Sequence, residues 1–351
     1  MAISVVPDLR GGKHAPLARR DGSAPPGSPA APAPAVSVPA GGPDLVAYRA
    51  GLARIQAVIA AEKALPIQRG SESRLLAHPT PPPKGTIVML HGFSAGTWQF
   101  EDMAKAAFES GYNVYVPRLP GHGFKVPSGD EDATKLLDSR NWRDYHAYAE
   151  DIYAQVKALG GPIRLTGLSG GANVALDMVV HHPDIKGAVL YAPFLAPRSF
   201  WARFGLGAVR ILDAVSFGLF GRLLDKVPFG WGEGGRAAAR AWGRPGHWDM
   251  KMGNVYGLYR HGQTLVRDAA KIKTPLQFFT TAIDDAADQG AIDKIYRRSG
   301  GAVRNGMYFF PKADDVPHPM VHWRENSHPE TIATLSRLSL DFLDRGVLAN
   351  R

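Results

Sequence analysis

The chain contains no cysteine. That excludes disulfides, thiolate metal sites, iron–sulfur clusters and a cysteine nucleophile, and it fits a cytoplasmic location. No apolar run approaches the roughly 18 residues of a membrane span, so no integral span is expected. Residues Met1–Arg20 are basic but lack the apolar stretch of a secretory signal, so no Sec signal peptide is expected. The sequence also lacks basic runs interleaved with aromatics, so no nucleic-acid partner is expected. A net charge of +9, from 41 Lys+Arg against 32 Asp+Glu, raises that question without answering it. Residues 196–252 hold nine Lys/Arg and four Asp/Glu, so part of the excess sits in one internal segment. We read it as solvated basic surface, with attraction to an anionic substrate or membrane surface as the alternative. Nothing in the pattern fixes an oligomeric state, and there is no internal repeat.

What is present divides the 351 residues into unlike stretches. Residues 1–43 are dominated by Pro, Ala, Gly and Ser after Asp21 and have little to bury, which predicts a disordered tail. Asp44 can cap a helix, and Leu45, Tyr48, Leu52, Ile55 and Ile59 recur at steps of three and four to about Ala64. From Lys84 short apolar runs alternate with helical patterns. Strands are expected at Thr86–Leu90, Asn113–Val116, Ile163–Thr166 and Ala188–Tyr191, with helices at Trp98–Glu109, Trp142–Val156 and Ala172–His181. Such β-α-β-α alternation predicts a mostly parallel central sheet with helices on both faces. Residues 197–272 interrupt the rhythm with Phe, Trp, Gly and Arg. It resumes at Leu276–Thr280 and Met307–Phe310, and a last helix carries Ile332, Leu335, Leu338, Phe342 and Leu343. The expected organisation is therefore a tail over 1–43, core over 44–196, an inserted segment over 197–272, and core again over 273–351.

Gly167-Leu-Ser-Gly-Gly171 has the form G-x-S-x-G between an expected strand and an expected helix. A tight turn there strains the backbone of Ser169 and lifts its hydroxyl above the sheet. The flanking glycines let backbone pass without a Cβ clash, and the helix N-terminus favours developing negative charge. His91-Gly92-Phe93 follows the strand Thr86–Leu90, so the backbone N–H of Phe93 and of Gly170 can form a pair of oxyanion donors, with His91 shaping the loop. A serine nucleophile needs a base and an orienting acid. Asp284 lies just after the strand ending at Thr280, with Asp285 as alternative, while Asp288 can cap the helix beginning there. Among the 12 histidines, His318 stands between two prolines soon after the strand ending at Phe310; His322 is the alternative and His328 reads as a helix-entry residue.

Three stretches, Gly85–Phe93 (GTIVMLHGF), Val116–Gly123 (VPRLPGHG) and Leu165–Gly171 (LTGLSGG), resemble the α/β-hydrolase superfamily, and most of all its lysophospholipase, monoacylglycerol-lipase and carboxylesterase-like members. The resemblance runs from about residue 70 to 347 and covers the inserted segment least. It implies a Ser-His-Asp triad on Ser169, His318 and Asp284, an oxyanion hole at Phe93 and Gly170, a helical lid between the superfamily's sixth and seventh strands, and no cofactor or metal. Pro117–Gly123 matches its loop after the fourth strand, at the site rim. Ser169 argues against the members with epoxide or haloalkane chemistry, which use an Asp nucleophile. Asp288 stands where a proline is common, and His318 lies in Val-Pro-His-Pro rather than the more usual Gly-His.

The expected function is hydrolysis of a carboxylic ester or thioester, with a small-molecule or lipid-like substrate. An acyltransferase or serine peptidase of the same fold is the alternative, and a non-catalytic binding protein would usually have lost one of the three side chains. Phe200, Trp201, Phe204, Phe217, Phe220, Phe229, Trp231, Trp242 and Trp248 make the insert aromatic. Most should pack on the core, and a minority facing the site would favour an apolar acyl or aromatic group.

Overall fold

Residues 44–82, 84–125, 132–230, 237, 246–247, 249–300 and 305–346 are described by the structure, a computed structural model. The expected tail over 1–43 lies outside the described residues, as do Trp231, Trp242 and Trp248 of the aromatic set. The described strands are β1 (Arg74–Leu76), β2 (Thr86–Leu90), β3 (Asn113–Val116), β4 (Ile163–Leu168), β5 (Ala188–Tyr191), β6 (Pro228–Gly230), β7 (Asp249–Lys251), β8 (Leu276–Thr281) and β9 (Gly306–Phe310). The helices are α1 (Leu45–Lys63), α2 (Glu101–Glu109), α3 (Asp144–Lys157), α4 (Gly170–His181), α5 (Phe200–Val215), α6 (Leu219–Leu224), α7 (Met252–Asp268), α8 (Gln289–Arg298) and α9 (Pro329–Arg345).

Seven strands form one sheet in the order β1-β3-β2-β4-β5-β8-β9, parallel throughout except for β1. Side chains alternate between its two faces. On β2, Ile87 and Met89 join the core with α2 and α9, whereas Val88 and Leu90 join the core with α3, α4, α7 and α8. Every β2 residue is buried, which is why the run reads as uninterrupted apolar sequence. Asp44 caps α1 by accepting from Val46 N–H (3.0 Å) and Ala47 N–H (2.9 Å), and Tyr48 and Ile55 bury the helix on the main core. The expected helix from Trp98 begins as a 3-10 turn over Thr97–Phe100 and becomes α-helical at Glu101. The sequence pattern shows no sign of β1 or of the antiparallel β6–β7 pair, strands of only three residues each.

The segment between β5 and β8 divides by burial. Along α5, Phe200, Trp201, Phe204, Ile211 and Val215 are exposed; only Leu206 and Asp213 are buried. Asp213 ties this layer together, accepting from Gly221 N–H (2.7 Å), Tyr256 OH (2.9 Å) and Arg260 Nη1 (3.0 Å). By contrast α7 is largely buried and packs against α4. In the described sheet the insertion follows the fifth strand and precedes the sixth.

Candidate active site

Parallel pairing sends the C-terminal ends of β2, β4, β8 and β9 to one edge of the sheet, where open α/β sheets place their ligands. The loops leaving those ends carry Phe93, Ser169, Asp284 and His318.

Ser169 joins β4 to α4 with φ 53° and ψ −115°, a conformation that a residue with a side chain adopts only when its surroundings enforce it. Here the enforcement is specific. Its N–H donates to Tyr191 O (2.8 Å) and its carbonyl accepts from Phe194 N–H (3.2 Å). The following helix is pressed onto the end of β2, so that a Cβ on Gly171 would lie 2.2 Å from Leu90 O and 2.3 Å from His91 O. A Cβ on Gly167 would lie 2.7 Å from Ala172 Cα and N. The two flanking glycines are therefore steric requirements of the turn. Gly170 lies directly against Phe93, whose Cβ would be 2.9 Å from an added Cβ there.

The Phe93 loop is held by three side chains. His91 is buried, which pushes its pKa down to about 4. The neutral ring accepts Leu119 N–H on Nε2 (3.0 Å) and donates from Nδ1 to Gly92 O (2.9 Å). His122 donates through Nε2 to Phe93 O, and burial likewise lowers its pKa well below the usual histidine value. Gln99 accepts Gly92 N–H (2.7 Å) and donates to Glu325 (2.6 Å), linking this loop to the one that carries His318. His91 thus takes the loop-shaping role expected of it. Gln99 and Glu325 were not legible beforehand, because no motif marks them.

Asp284 is fully buried. One carboxylate oxygen accepts Ala286 N–H (2.9 Å) and Ala287 N–H (2.7 Å), an Asx turn that the small, buried Ala287 permits. Both oxygens lie 3.0 Å from His318 Nδ1. Burial alone would raise the carboxyl pKa, but the charge and hydrogen bond of His318 and the two amides outweigh it, so it stands below the usual value. For His318 burial works downward and is outweighed by the Asp284 carboxylate, with Asp285 and Glu325 adding to it, so its pKa stands above the usual value. The His318 side chain is 12 % exposed. Its loop is anchored on either side by Val316 and Met320, both fully buried.

The alternatives fall elsewhere. Asp285 is exposed. Asp288 caps α8, accepting Ala291 N–H (3.1 Å), and pairs with Arg203 of α5. His322 is buried edge-on against Trp98 at 5.0 Å, its Nδ1 accepts Arg324 N–H (3.2 Å), and burial pushes its pKa down to about 4. His328 is the N-cap residue of α9. Beside the acid loop lies a shallow depression of about 590 Å³ lined by Arg198, Ser199, residues 282–285, Asp284 included, and Lys312. Ser169, His318 and Phe93 are absent from its lining, so it is the outer face of that loop.

Sheet order, strand-to-helix turn and loop positions define an α/β-hydrolase fold. The chain belongs to the family described as Serine aminopeptidase, S33, which matches residues 81–309. It is 34 % identical over 103 residues to the thermostable monoacylglycerol lipase of Bacillus sp. (strain H-257), a match that spans 29 % of this chain and 38 % of that enzyme. In three dimensions it resembles the soluble variant of monoglyceride lipase from Saccharomyces cerevisiae in complex with a substrate analogue (TM-score 0.58, 16 % identity, 79 % of this chain and 92 % of that one). It also resembles the monoacylglycerol lipase of Paleococcus ferrophilus (TM-score 0.57, 15 % identity, 77 % and 97 %). At these identities the structural likenesses concern the fold. Among the described residues no helix is long and apolar enough to cross a membrane.

Proposed function

We propose that the protein hydrolyses carboxylic esters with an apolar acyl group through an acyl-enzyme on Ser169. The observation that carries this is the buried Asp284 carboxylate with both oxygens 3.0 Å from His318 Nδ1, on loops at the sheet edge where the strained Ser169 turn lies. With Nδ1–H committed to Asp284, the Nε2 lone pair of His318 is the one left to act as base. It takes the proton as Ser169 Oγ attacks the ester carbonyl carbon. The carbonyl oxygen gains negative charge, which the Phe93 and Gly170 N–H groups stabilise together with the N-terminus of α4. Collapse breaks the bond to the alcohol, which leaves with the proton from His318. Water then attacks the acyl carbon while His318 removes its proton, and that proton returns to Ser169 as the acid departs.

An apolar acyl group is supported by the character of the insert. Phe200, Trp201 and Phe204 stand 60 %, 76 % and 65 % exposed in one aromatic cluster. That cluster is tethered at the acid loop, since Arg198 donates to Asp284 O and Arg203 pairs with Asp288. In this proposal α5 to β7 serve as the lid of the expected 197–272 segment, while α7 belongs to the core. The monoacylglycerol lipases that the chain resembles make glycerol monoesters the first lipid substrates to try.

The test is a panel of p-nitrophenyl esters from C2 to C16 and monoacylglycerols, run beside aminoacyl p-nitroanilides and acyl thioesters. We expect ester turnover, and a fluorophosphonate probe should label wild type but not Ser169→Ala, whose kcat should fall at least ~10³-fold. Persistent labelling of Ser169→Ala would move the nucleophile elsewhere. Turnover confined to the anilides would replace the esterase by a peptidase.

A further inference from the structure

A carboxylate surrounded by histidines sits away from the Ser169 turn, on the sheet face covered by α3, α4 and α7. Asp177, in the third turn of α4, has a side chain only 4 % exposed. Its Oδ1 lies 2.8 Å from His146 Nδ1 of α3 and 2.9 Å from His181 Nδ1 one helical turn further along α4, a nitrogen whose hydrogen bond goes to the Asp177 backbone O (2.9 Å). Its other oxygen, Oδ2, lies 2.6 Å from His261 Nε2 of α7. The two groups of contacts differ in kind. The His261 side chain is 2 % exposed and stacked on Tyr145, and its Nδ1 has no hydrogen-bond partner among the described residues. His261 thus holds the far oxygen from the buried side and orients the carboxylate. His146 and His181, by contrast, are 47 % and 41 % exposed, with their Nδ1 atoms turned inward onto the same oxygen.

We propose that His146, His181 and Asp177 form a site for a divalent ion of the zinc class, which clamps α3 to α4. One ligand atom from each of the three residues lies within 4.8 Å of the others. Tetrahedral coordination at bond lengths near 2.0–2.1 Å sets ligand atoms roughly 3.3 Å apart. The present separations are 2.8 and 2.9 Å from the carboxylate oxygen and within 4.8 Å overall, so the two exposed imidazoles must readjust to reach that spacing. Two imidazoles and one carboxylate suit Zn²⁺ or Ni²⁺, whereas Mg²⁺ and Ca²⁺ require oxygen ligands. The His261 bond to the far oxygen is the outer-shell contact that fixes a ligating carboxylate. Solvent has access on the side of the exposed rings and can supply the fourth ligand. Asp177 is eight residues along the chain from Ser169, about 12 Å of helix, so the clamp acts on the helix behind the turn and takes no part in chemistry at the serine.

Untagged protein stripped with chelator and titrated with Zn²⁺ at pH 7.5 tests this. We expect one equivalent to bind, with Tm rising by about 3 °C or more once free Zn²⁺ reaches a hundredfold excess over Kd. His146→Ala and His181→Ala, both at exposed positions, should each fold, weaken that binding at least tenfold and abolish the Tm shift. Co²⁺ should give the visible bands of a four-coordinate ion in wild type alone, and Mg²⁺ should bind in none of the three. Binding should weaken as pH falls, since protons compete with the ion for its ligands. Identical Zn²⁺ isotherms in wild type and both variants would place the ion elsewhere and overturn the proposal. So would a wild-type protein that binds no Zn²⁺. None of these readouts depends on ester turnover, so failure here leaves the hydrolase proposal standing, and the converse also holds.

Discussion

Replacing Gly171 by alanine adds one methyl group to the closest backbone approach in the candidate site. Its Cβ would lie 2.2 Å from Leu90 O and 2.3 Å from His91 O, and carbon–oxygen contacts shorter than 3.0 Å are not sustained. Neither carbonyl can rotate away, since one ends β2 and the other opens the Phe93 loop. The start of α4 must therefore shift by about 0.8 Å relative to β2. Overpacking of this kind costs about 1–3 kcal/mol, a fall in Tm of several degrees for a chain of this size. The greater effect should be on rate. Gly171 is bonded to Gly170, and His91 lies two residues before Phe93, so the shift separates the two proposed oxyanion donors. Misplacement by about 1 Å, or loss of one donor, is worth roughly 10²-fold or more in kcat. KM should change little, because an ester bound in its ground state makes weak use of an oxyanion hole. The comparison is Gly205→Ala in α5, where an added Cβ meets nothing within 4 Å and helix propensity favours alanine. Both variants would be assayed on p-nitrophenyl butyrate beside thermal melts. A folded Gly171→Ala with kcat within twofold of wild type would refute the assignment of Gly170 and Phe93 as donors.

Three further outcomes separate the titrating groups. His318→Ala and Asp284→Asn should each remove most turnover with the far-UV circular dichroism unchanged, while His322→Ala and Asp285→Asn should stay within about tenfold of wild type; full activity in His318→Ala would pass the role of base to His322. In the pH profile, the acid limb of kcat/KM should lie above the usual histidine value of about 6.5, because the base must be neutral and Asp284 raises its pKa. Asp284→Asn should move that limb to lower pH. The pair's contribution to stability has two edges: His318, raised on folding, contributes fully below about 6.5 and loses its share as pH rises through its folded value, whereas Asp284, lowered on folding, contributes above about 3.9 and loses its share as pH falls through its folded value. The Tm gap between wild type and Asp284→Asn should therefore be widest between about pH 4 and 6.5 and narrow outside it.

Much of the central sheet was legible because its strands are buried on both faces and bounded by turn residues. The run Thr86–Leu90 could hardly be anything but a core strand, and Asn113–Val116 and Ala188–Tyr191 agree with the structure to the residue. What escaped was short or only partly apolar. β1 is three partly buried residues at the sheet edge, too few to show a period, and β6 is three exposed ones. The 3-10 start of the Trp98 helix escaped for a different reason, since apolar spacing over four residues does not separate a 3-10 turn from an α-helical one.

Side chains that follow a strand end directly were visible in sequence because topology alone sends them to one edge. Ser169, Asp284, His318 and Phe93 each follow such an end, so the order of elements alone points them to the same edge of the sheet. Choosing between His318 and His322 took more. They stand four positions apart on one loop, yet the neighbours decide their chemistry: a carboxylate raises the pKa of the first, while burial, with Arg324 adding to it, lowers that of the second, which packs edge-on against Trp98. No local pattern encodes the partner, because Asp284 is 34 residues upstream of His318 and Trp98 is more than two hundred upstream of His322. The same limit hid the Gly92–Gln99–Glu325 link and the grouping of His146, His181 and His261 around Asp177, which draws on three helices. Of that grouping only the Asp177–His181 pair, at i and i+4, has a spacing that a sequence could reveal. A chain thus advertises the residues its topology gathers, and conceals the contacts that set how those residues titrate.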